Sequence, residues 1–462
     1  MANNFVFAKL EKEIFRIFCE KAREYTANLL EEYDDELYKN RDKAKYKVVG
    51  KYKTTVKTLF GEVEFKRRRY ARCVDGETVD NVYLLDVALE IFCVGKVSST
   101  LANLIATAAA QQSFRRAAQA VSLMTGQTIS HGAVWNVIQS LGQEAATKED
   151  IAVLRLKDNV TAGKETTAVL FEEADGVFIS LQGKDRKQQR RRSKELKVSL
   201  AYRGCFNDGK RTKLLGKVAF AGFYSTKDFH LRREAMIRHK YDIDNVKLRV
   251  LNGDGASWVK NTFDKESIYQ LDNFHIQQEM TRCIKHGKIR NHARKLLREC
   301  KIEECLNYIE TYKNSVSGDR AEAVERLYNY LKNNKNGLIP YYKRGIDIPQ
   351  PPKDVFYKNL GTMENHNFSM ITQRMKHNRG SWSISGANNM VKILTERENG
   401  TLEETISSYF LQTKTELLNL KIAVPETINE DRIYIRGFSC AGTQKRVGSG
   451  YMPKQGNLFV KR

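Results

Sequence analysis

Proline is scarce in this chain, 6 in 462 residues, so long Pro-rich linkers are excluded. Tryptophan is scarcer still, with 3. So few leave no Trp-rich cleft, which with the net charge argues against a glycosidase working with paired carboxylates. The 8 cysteines include no Cys-x-x-Cys pair, and Cys300 and Cys305 lack a second pair at zinc spacing. They read as reduced thiols, not as a disulfide scaffold or a structural zinc site. No long apolar run occurs: the most apolar stretch, 84–110, is interrupted by Asp86, Glu90 and Lys96, which argues against a membrane span. The opening "MANNFVFAKLEKEIF" is charged too early for a secretory signal. Acids are outnumbered, 55 against 78 Lys and Arg, for a net charge of +23 spread along the whole chain. A polyanion is therefore the first partner to consider. The length suggests roughly three domains, and 41% hydrophobic residues can fill a sizeable core.

Residues 1–45 read as one amphipathic helix, with Phe7, Leu10, Ile14, Phe18, Ala22, Tyr25, Leu29 and Tyr33 at three- and four-residue steps. Residues 46–82 alternate and turn at Phe60-Gly61, which predicts a basic β-hairpin carrying Arg67, Arg68 and Arg69. Such a run is a solvated edge or a phosphate contact. The segment 83–147 is helical. A helix over 113–124, a turn at Gly126, Ser130 as N-cap and a second helix through Leu141 together match a helix-turn-helix. His131 and Trp135 would then meet DNA bases, although an ordinary helical hairpin has the same pattern. The polar stretch 148–165 reads as a linker. Strands are expected at 167–182, 194–206 and 211–223, a helix at 229–241, a strand at 246–254, a short helix from Ser257, and a strand running to His275. The result is a multidomain α/β protein with a mixed sheet over 163–276 and 341–400, interrupted by a helical insertion at 277–340. The basic region 401–462 predicts a short strand within "RIYIRGFSC" and a mobile tail.

Two strands are odd. "FEEADGVFIS" (171–180) carries Glu172, Glu173 and Asp175 in a stretch built for burial, and "VKLRVLNGDGASW" ends on Asp254. If these strands are neighbours, Asp175 and Asp254 can meet. Close carboxylates repel unless a cation lies between them, and oxygen ligands suit Mg²⁺. Glu364, in the first turn of a helix that Thr362 could cap, offers a third acid, though the helix dipole alone would favour it there. Glu173, on the same face as Asp175, is a weaker fourth candidate.

The motifs "EADG", "GDGASW", "LDNFH", "GTMENHN" and "RMKHNRGSWSISGANNM", with "YLLD", "SFRRAA" and "ISHGAVW" upstream, resemble the DDE transposases of ISLre-type bacterial insertion sequences, relatives of the Mutator-like group. The resemblance covers about residues 45–400. It implies a ribonuclease-H-like catalytic domain and a metal-binding triad of Asp175, Asp254 and Glu364, holding two Mg²⁺ (or Mn²⁺) ions, with Asp175 shared. It also implies Asp272 orienting His275 near the scissile phosphate, although His275 could equally be a hydrogen-bonded core residue. The partners would be the element's terminal repeats and target DNA, bound by a homo-oligomer in the bacterial cytoplasm at the nucleoid. The run "KDRKQQRRRSKELK", with eight Lys or Arg in fourteen residues, offers Lys184, Arg190, Arg191 and Arg192 to phosphates or to solvent. Arg374 and Arg379 are further DNA-contact candidates. Trp382 would either stack on an unpaired base or sit in the core. A nuclease or resolvase without strand transfer, and a transposase-derived DNA-binding regulator, are the competing readings.

Overall fold

The computed structural model describes residues 3–74, 77–89, 97–160, 163–188, 190–260, 267–357, 360–377 and 380–411. Arg379 and the strand expected within 412–462 lie outside them. Asn3–Asn40 is one helix, α1. It lies on a three-stranded antiparallel sheet in the order β1 (Tyr46–Thr58), β2 (Gly61–Val74), β3 (Glu77–Val82). The basic run of β2 is consumed inside this unit. Arg68 reaches Asp34 and Asp35, each at 2.6 Å. Arg67 pairs with Asp86 of α2 (Leu84–Leu89) and lies 4.1 Å over the Tyr83 ring. Arg69 lies 4.8 Å over the Tyr52 ring. The expected phosphate contacts of Arg67 and Arg68 thus give way to internal ion pairs, because α2 brings an acid to Arg67 and α1 brings two to Arg68.

Three helices follow, α3 (Ser99–Gln111), α4 (Phe114–Thr125) and α5 (His131–Lys157). Ser98, Ser113 and Ser130 cap them, each accepting a backbone N–H with its hydroxyl. Gly126 ends α4 at φ +64°, a conformation that favours glycine. The helix–turn–helix outline is therefore present, but α5 does not stop near Leu141. It continues to Lys157, so most of the expected linker is helix. Burial explains the extension, since Ala152 and Val153 pack with Ala235 of a later helix.

The central sheet has the order β10-β9-β4-β5-β8. It is built from β4 (Val169–Ser180), β5 (Ser193–Tyr202), β8 (Val218–Gly222), β9 (Leu248–Gly253) and β10 (Ile268–Leu271). β5 runs antiparallel to both its neighbours, β4 and β8, and β9 and β10 run parallel to β4. A short helix α6 (Gly183–Gln188) separates β4 from β5. The second predicted strand breaks after Tyr202, and Gly204–Asn207 (β6) pairs with Thr212–Leu215 (β7) as a separate hairpin. Between β8 and β10 come α7 (Thr226–Lys240) and α8 (Ser257–Lys260). The last predicted strand is short: it ends at Leu271, and His275 lies in helix α9 (Asn273–Cys283).

Helices α9, α10 (Gly287–Arg298), α11 (Ile302–Asn314) and α12 (Asp319–Asn333) have their own apolar core, as an insertion would. The chain returns to the sheet through α13 (Met363–His366), a π-type turn at Asn367–Thr372 and α14 (Gln373–Met375). It ends in α15 (Ile384–Asn399) and α16 (Leu402–Leu411). One face of the sheet shares a continuous core with α3, α4, α5 and α15, while the other packs on α7 and α8. No helix among the described residues is long and apolar enough to cross a membrane.

Where α5 meets α15, Lys392 is fully buried, 2.5 Å from Glu149, and donates to the Ala221 carbonyl at 2.8 Å. Glu149 also accepts from the Tyr224 hydroxyl at 3.0 Å. Removing one member of a buried ion pair strands the other charge, whereas apolar replacement of both is often neutral. Lys392→Met should therefore cost about 3–5 kcal/mol, and adding Glu149→Leu should recover most of it. Denaturant titration of the two variants checks this.

Candidate active site

The odd carboxylates of β4 face in two directions. Glu172 points toward α7 and joins a buried ionic network. It pairs with Arg233 and accepts from Arg249 at 2.7 Å, while Arg249 also reaches Glu234 at 2.8 Å. Burial alone would raise the Glu172 carboxyl, but the two guanidiniums outweigh it and hold it down to about 2. Glu172 is thus accounted for by packing.

Glu173 points to the opposite face and is completely buried. It accepts hydrogen bonds from the backbone N–H groups of Gly361 (3.0 Å), Thr362 (2.9 Å) and Met363 (3.2 Å). The hydroxyls of Thr362 (2.8 Å) and Tyr202 (2.7 Å) and the Asn252 amide (3.3 Å) complete its shell. Glu173 is therefore the anion at the start of the helix that bears Glu364. Thr362, expected to cap that helix with its own side chain, makes no such bond and donates to Glu173 instead. As a fourth ligand candidate Glu173 is corrected: its oxygens are occupied by donors. Gly361 permits the approach, with φ +117° and its Cβ position only 3.1 Å from Asp272 Oδ1.

The register of the three parallel strands then defines a row. Glu173 pairs with Asn252, and Asn252 with Gln270. Ala174 and Leu271 both pair with Gly253. One step further along stand Asp175, Asp254 and Asp272, at the C-terminal end of β9 and β10, where α/β sheets bind ligands. The polar ladder beneath the row is closed by hydrogen bonds, Gln270 to Asn252 at 3.4 Å and Asn252 to Glu173.

Asp175 is 8% exposed and accepts from the Gly176 N–H and from the Asn367 amide, both at 2.7 Å. Burial, with the charges of Asp254 and Glu364, pushes its carboxyl up to about 6, against the opposing pull of His275. The two other acids of the expected triad thus act on Asp175 electrostatically. Asp254 is half-buried and Glu364 exposed. Among the described residues, no three Asp, Glu, His or Cys side chains are gathered closely enough to hold a metal ion.

Asp272 caps α9 through the Phe274 N–H and holds His275 Nδ1 at 3.0 Å. Burial lowers the His275 pKa, but the Asp272 hydrogen bond and the charges of Asp175, Asp272 and Asp254 outweigh it, and the net shift is upward. The insertion also reaches the row: Tyr330 of α12 donates to the Asp254 carbonyl at 2.8 Å, and Tyr269 to that of Gly253 at 3.3 Å. Nothing in the local sequence around Tyr330 signals this contact, because it joins segments 76 residues apart.

The remaining expected residues divide. His131 and Trp135 are exposed on the first turns of α5, and Lys184, Arg190, Arg191 and Arg192 are exposed between β4 and β5. Trp382 is buried, donates its indole N–H to the Met375 carbonyl at 3.0 Å and meets Phe114 edge-on, so it is a core residue with no face for a base. Arg374 is sandwiched by Phe114 and Trp382, donates to the Ala109 carbonyl at 2.6 Å and is pushed down to about 10 by burial. It is held inside the protein and is not placed to meet DNA.

The site belongs to a mixed α/β protein with acids at parallel strand ends. The chain is a member of the family described as Uncharacterised protein family (UPF0236), matched over residues 1–408. It is similar to a UPF0236 protein in the vanSb 3′ region of Streptococcus gallolyticus, 25% identical over 86% of this chain and 84% of the relative. Two relatives from Caldanaerobacter subterraneus subsp. tengcongensis are each 23% identical, covering 87% and 78% of this chain and 79% and 71% of their own lengths. The name of the first joins eleven loci and that of the second four.

The pKa of Asp175 sets a stability test. Its folded value, about 6, lies above the ordinary 3.8, so its contribution is most favourable below 3.8 and is lost as pH rises through 6. Asp175→Asn should therefore stabilise the protein by about 3 kcal/mol at pH 8 in chelator and by little at pH 4. Asn367 can accommodate the change by turning its amide, since its Oδ1 is buried without a partner. Equal effects at both pH values in thermal melts would contradict the assignment. Glu173→Gln should instead cost about 2–3 kcal/mol. Hydrogen exchange should then speed up first in 361–375.

Proposed function

We propose that this chain is a metal-dependent DNA transposase that cuts phosphodiesters at the ends of a mobile element and transfers the freed 3′ hydroxyl to target DNA. The acid row carries the reading: Asp175 and Asp254 stand level on adjacent parallel strands, and Glu364 is brought to them by a helix seated on Glu173. Two observations support it. Three antiparallel strands followed by two parallel ones, in the order β10-β9-β4-β5-β8, match a ribonuclease-H-like sheet, with α9–α12 inserted before the last acid. Relatives whose names join eleven and four loci fit a self-copying element.

Asp175, Asp254 and Glu364 would hold Mg²⁺ or Mn²⁺. The fit rests on donor chemistry: all three are hard oxygen donors, and Asp175 is a buried carboxylate whose ionisation Asp254 and Glu364 oppose. When bound, such ions activate the attacking oxygen and stabilise the leaving one. The protein's own part is positional. Asp272 fixes His275 through Nδ1, and the carboxylates around the ring favour its protonated form, which would leave Nε2 to donate to a phosphate oxygen. His131 and Trp135 would read the element ends, and two ends call for two protomers.

The test is nicking and joining of a plasmid carrying the gene with its natural flanks, in Mg²⁺ and Mn²⁺, beside Asp254→Asn. Metal-dependent cuts at two mirrored flanking sites are expected, absent in the variant while DNA binding persists. Scattered nicks without joining would favour a nuclease, and tight binding without cutting a regulator.

A further inference from the structure

Two basic segments far apart in sequence are joined through Trp382, which offers one candidate surface. Arg115 and Arg116 lie in the first turn of α4, both exposed. The adjacent Phe114 packs edge-on against Trp382 at 5.9 Å. Trp382 in turn bridges to the end of β4, its N–H donating to the Ser180 carbonyl (3.0 Å) and its carbonyl accepting from the Gln182 N–H (2.9 Å). There the exposed run of Lys184, Arg186, Lys187 and Arg190 to Arg192 begins. Its single acid, Asp185, is turned away and accepts the Ile384 N–H at 2.7 Å. Among the described residues, none of these eight cations forms a salt bridge, in contrast to Arg67 and Arg68 of β2.

We infer that this surface holds the phosphates of the duplex flanking the cut. The inference rests on the proposed function and adds the path of the DNA. Two routes give its distance from the acid row. Asp175 precedes Ser180 by five residues of β4, about 17 Å. Glu364 precedes Met375, whose carbonyl takes the Trp382 indole N–H, by eleven helical residues, about 16 Å. At 3.4 Å per base pair both correspond to about five base pairs. Duplex DNA suits the surface better than a membrane, because Phe114 and Trp382 pack against each other and the exposed side chains of 115–116, 184–188 and 190–192 are cations and amides.

The probe is a 30-base-pair random duplex, with affinity measured against salt for the full chain. Arg115→Ala with Arg116→Ala, and separately Lys184→Ala with Lys187→Ala, should each lower the slope of log affinity against log salt by about two. The control is Lys227→Ala with Lys247→Ala, which removes two exposed charges at α7 and at the end of β9 opposite Asp254, and should leave the slope unchanged. Equal slopes for all three double variants, or a loss of binding to phosphatidylserine vesicles but not to duplex, would overturn the inference. If the slopes fall as expected but the plasmid assay yields no metal-dependent cuts, the surface stands and the transposase reading falls. If cuts occur and the slopes do not change, the reverse holds.

Discussion

A buried carboxylate with six donors around it holds the site together. Glu173 lies on β4 two residues before Asp175, so its position fixes where the Asp175 side chain emerges. Its oxygens take the first N–H groups of the segment bearing Glu364, and the Asn252 amide ties it to β9 two residues before Asp254. One anion therefore relates Asp175, Asp254 and Glu364 to a single strand. An ionised carboxylate receiving this many hydrogen bonds is among the stronger fixed contacts available in a protein interior. Its geometry is shielded from water, which a surface salt bridge would not be.

This arrangement explains why so polar a strand is stable in the middle of a sheet. Alternation sends Glu172 to one face, where Arg233 and Arg249 neutralise it, and Glu173 and Asp175 to the other. Glu173 is satisfied by N–H and O–H groups. Asp175 alone keeps an ionisation problem, with burial and two like charges outweighing His275 and the Gly176 N–H. Three acids within four residues thus have three different fates. Only the one left electrostatically unresolved stands at the open end of the strands.

Much of this was legible in sequence. The odd acids of 171–180, the recurrence at Asp254 and the helix beginning at Met363 could be read from periodicity, and so could α1, the turn at Gly126 and the helical insertion. The failures share a cause. Arg67, Arg68, Arg374 and Trp382 looked like nucleic-acid contacts because a local pattern shows a charge or a ring but not what faces it. Asp34, Asp86, Ala109 and Phe114 are distant in sequence or on another element, and they decide the outcome. Glu173 was misread for the same reason: strand alternation gives its face, but four of its six donors lie about 190 residues away. The expected linker after 148 was polar by composition, yet Glu149, Ala152 and Val153 are buried there, Glu149 against Lys392.

The Glu149–Lys392 contact also bears on how the helical layer and the sheet can act together. A helix that merely displayed a DNA-reading turn would be free to swing relative to the acids. Here α5 is fixed to α15 by a desolvated ion pair and to α7 by apolar packing, and α15 begins where Asp185 receives the Ile384 N–H, beside the exposed basic run. Breaking a buried ion pair costs several kcal/mol, far more than bending an exposed linker. The exposed first turn of α5, the basic surface at Trp382 and the acid row are thus held on one frame. If the proposed function holds, a duplex touching all three would be positioned by the fold itself, without a domain movement to bring the acid row to it.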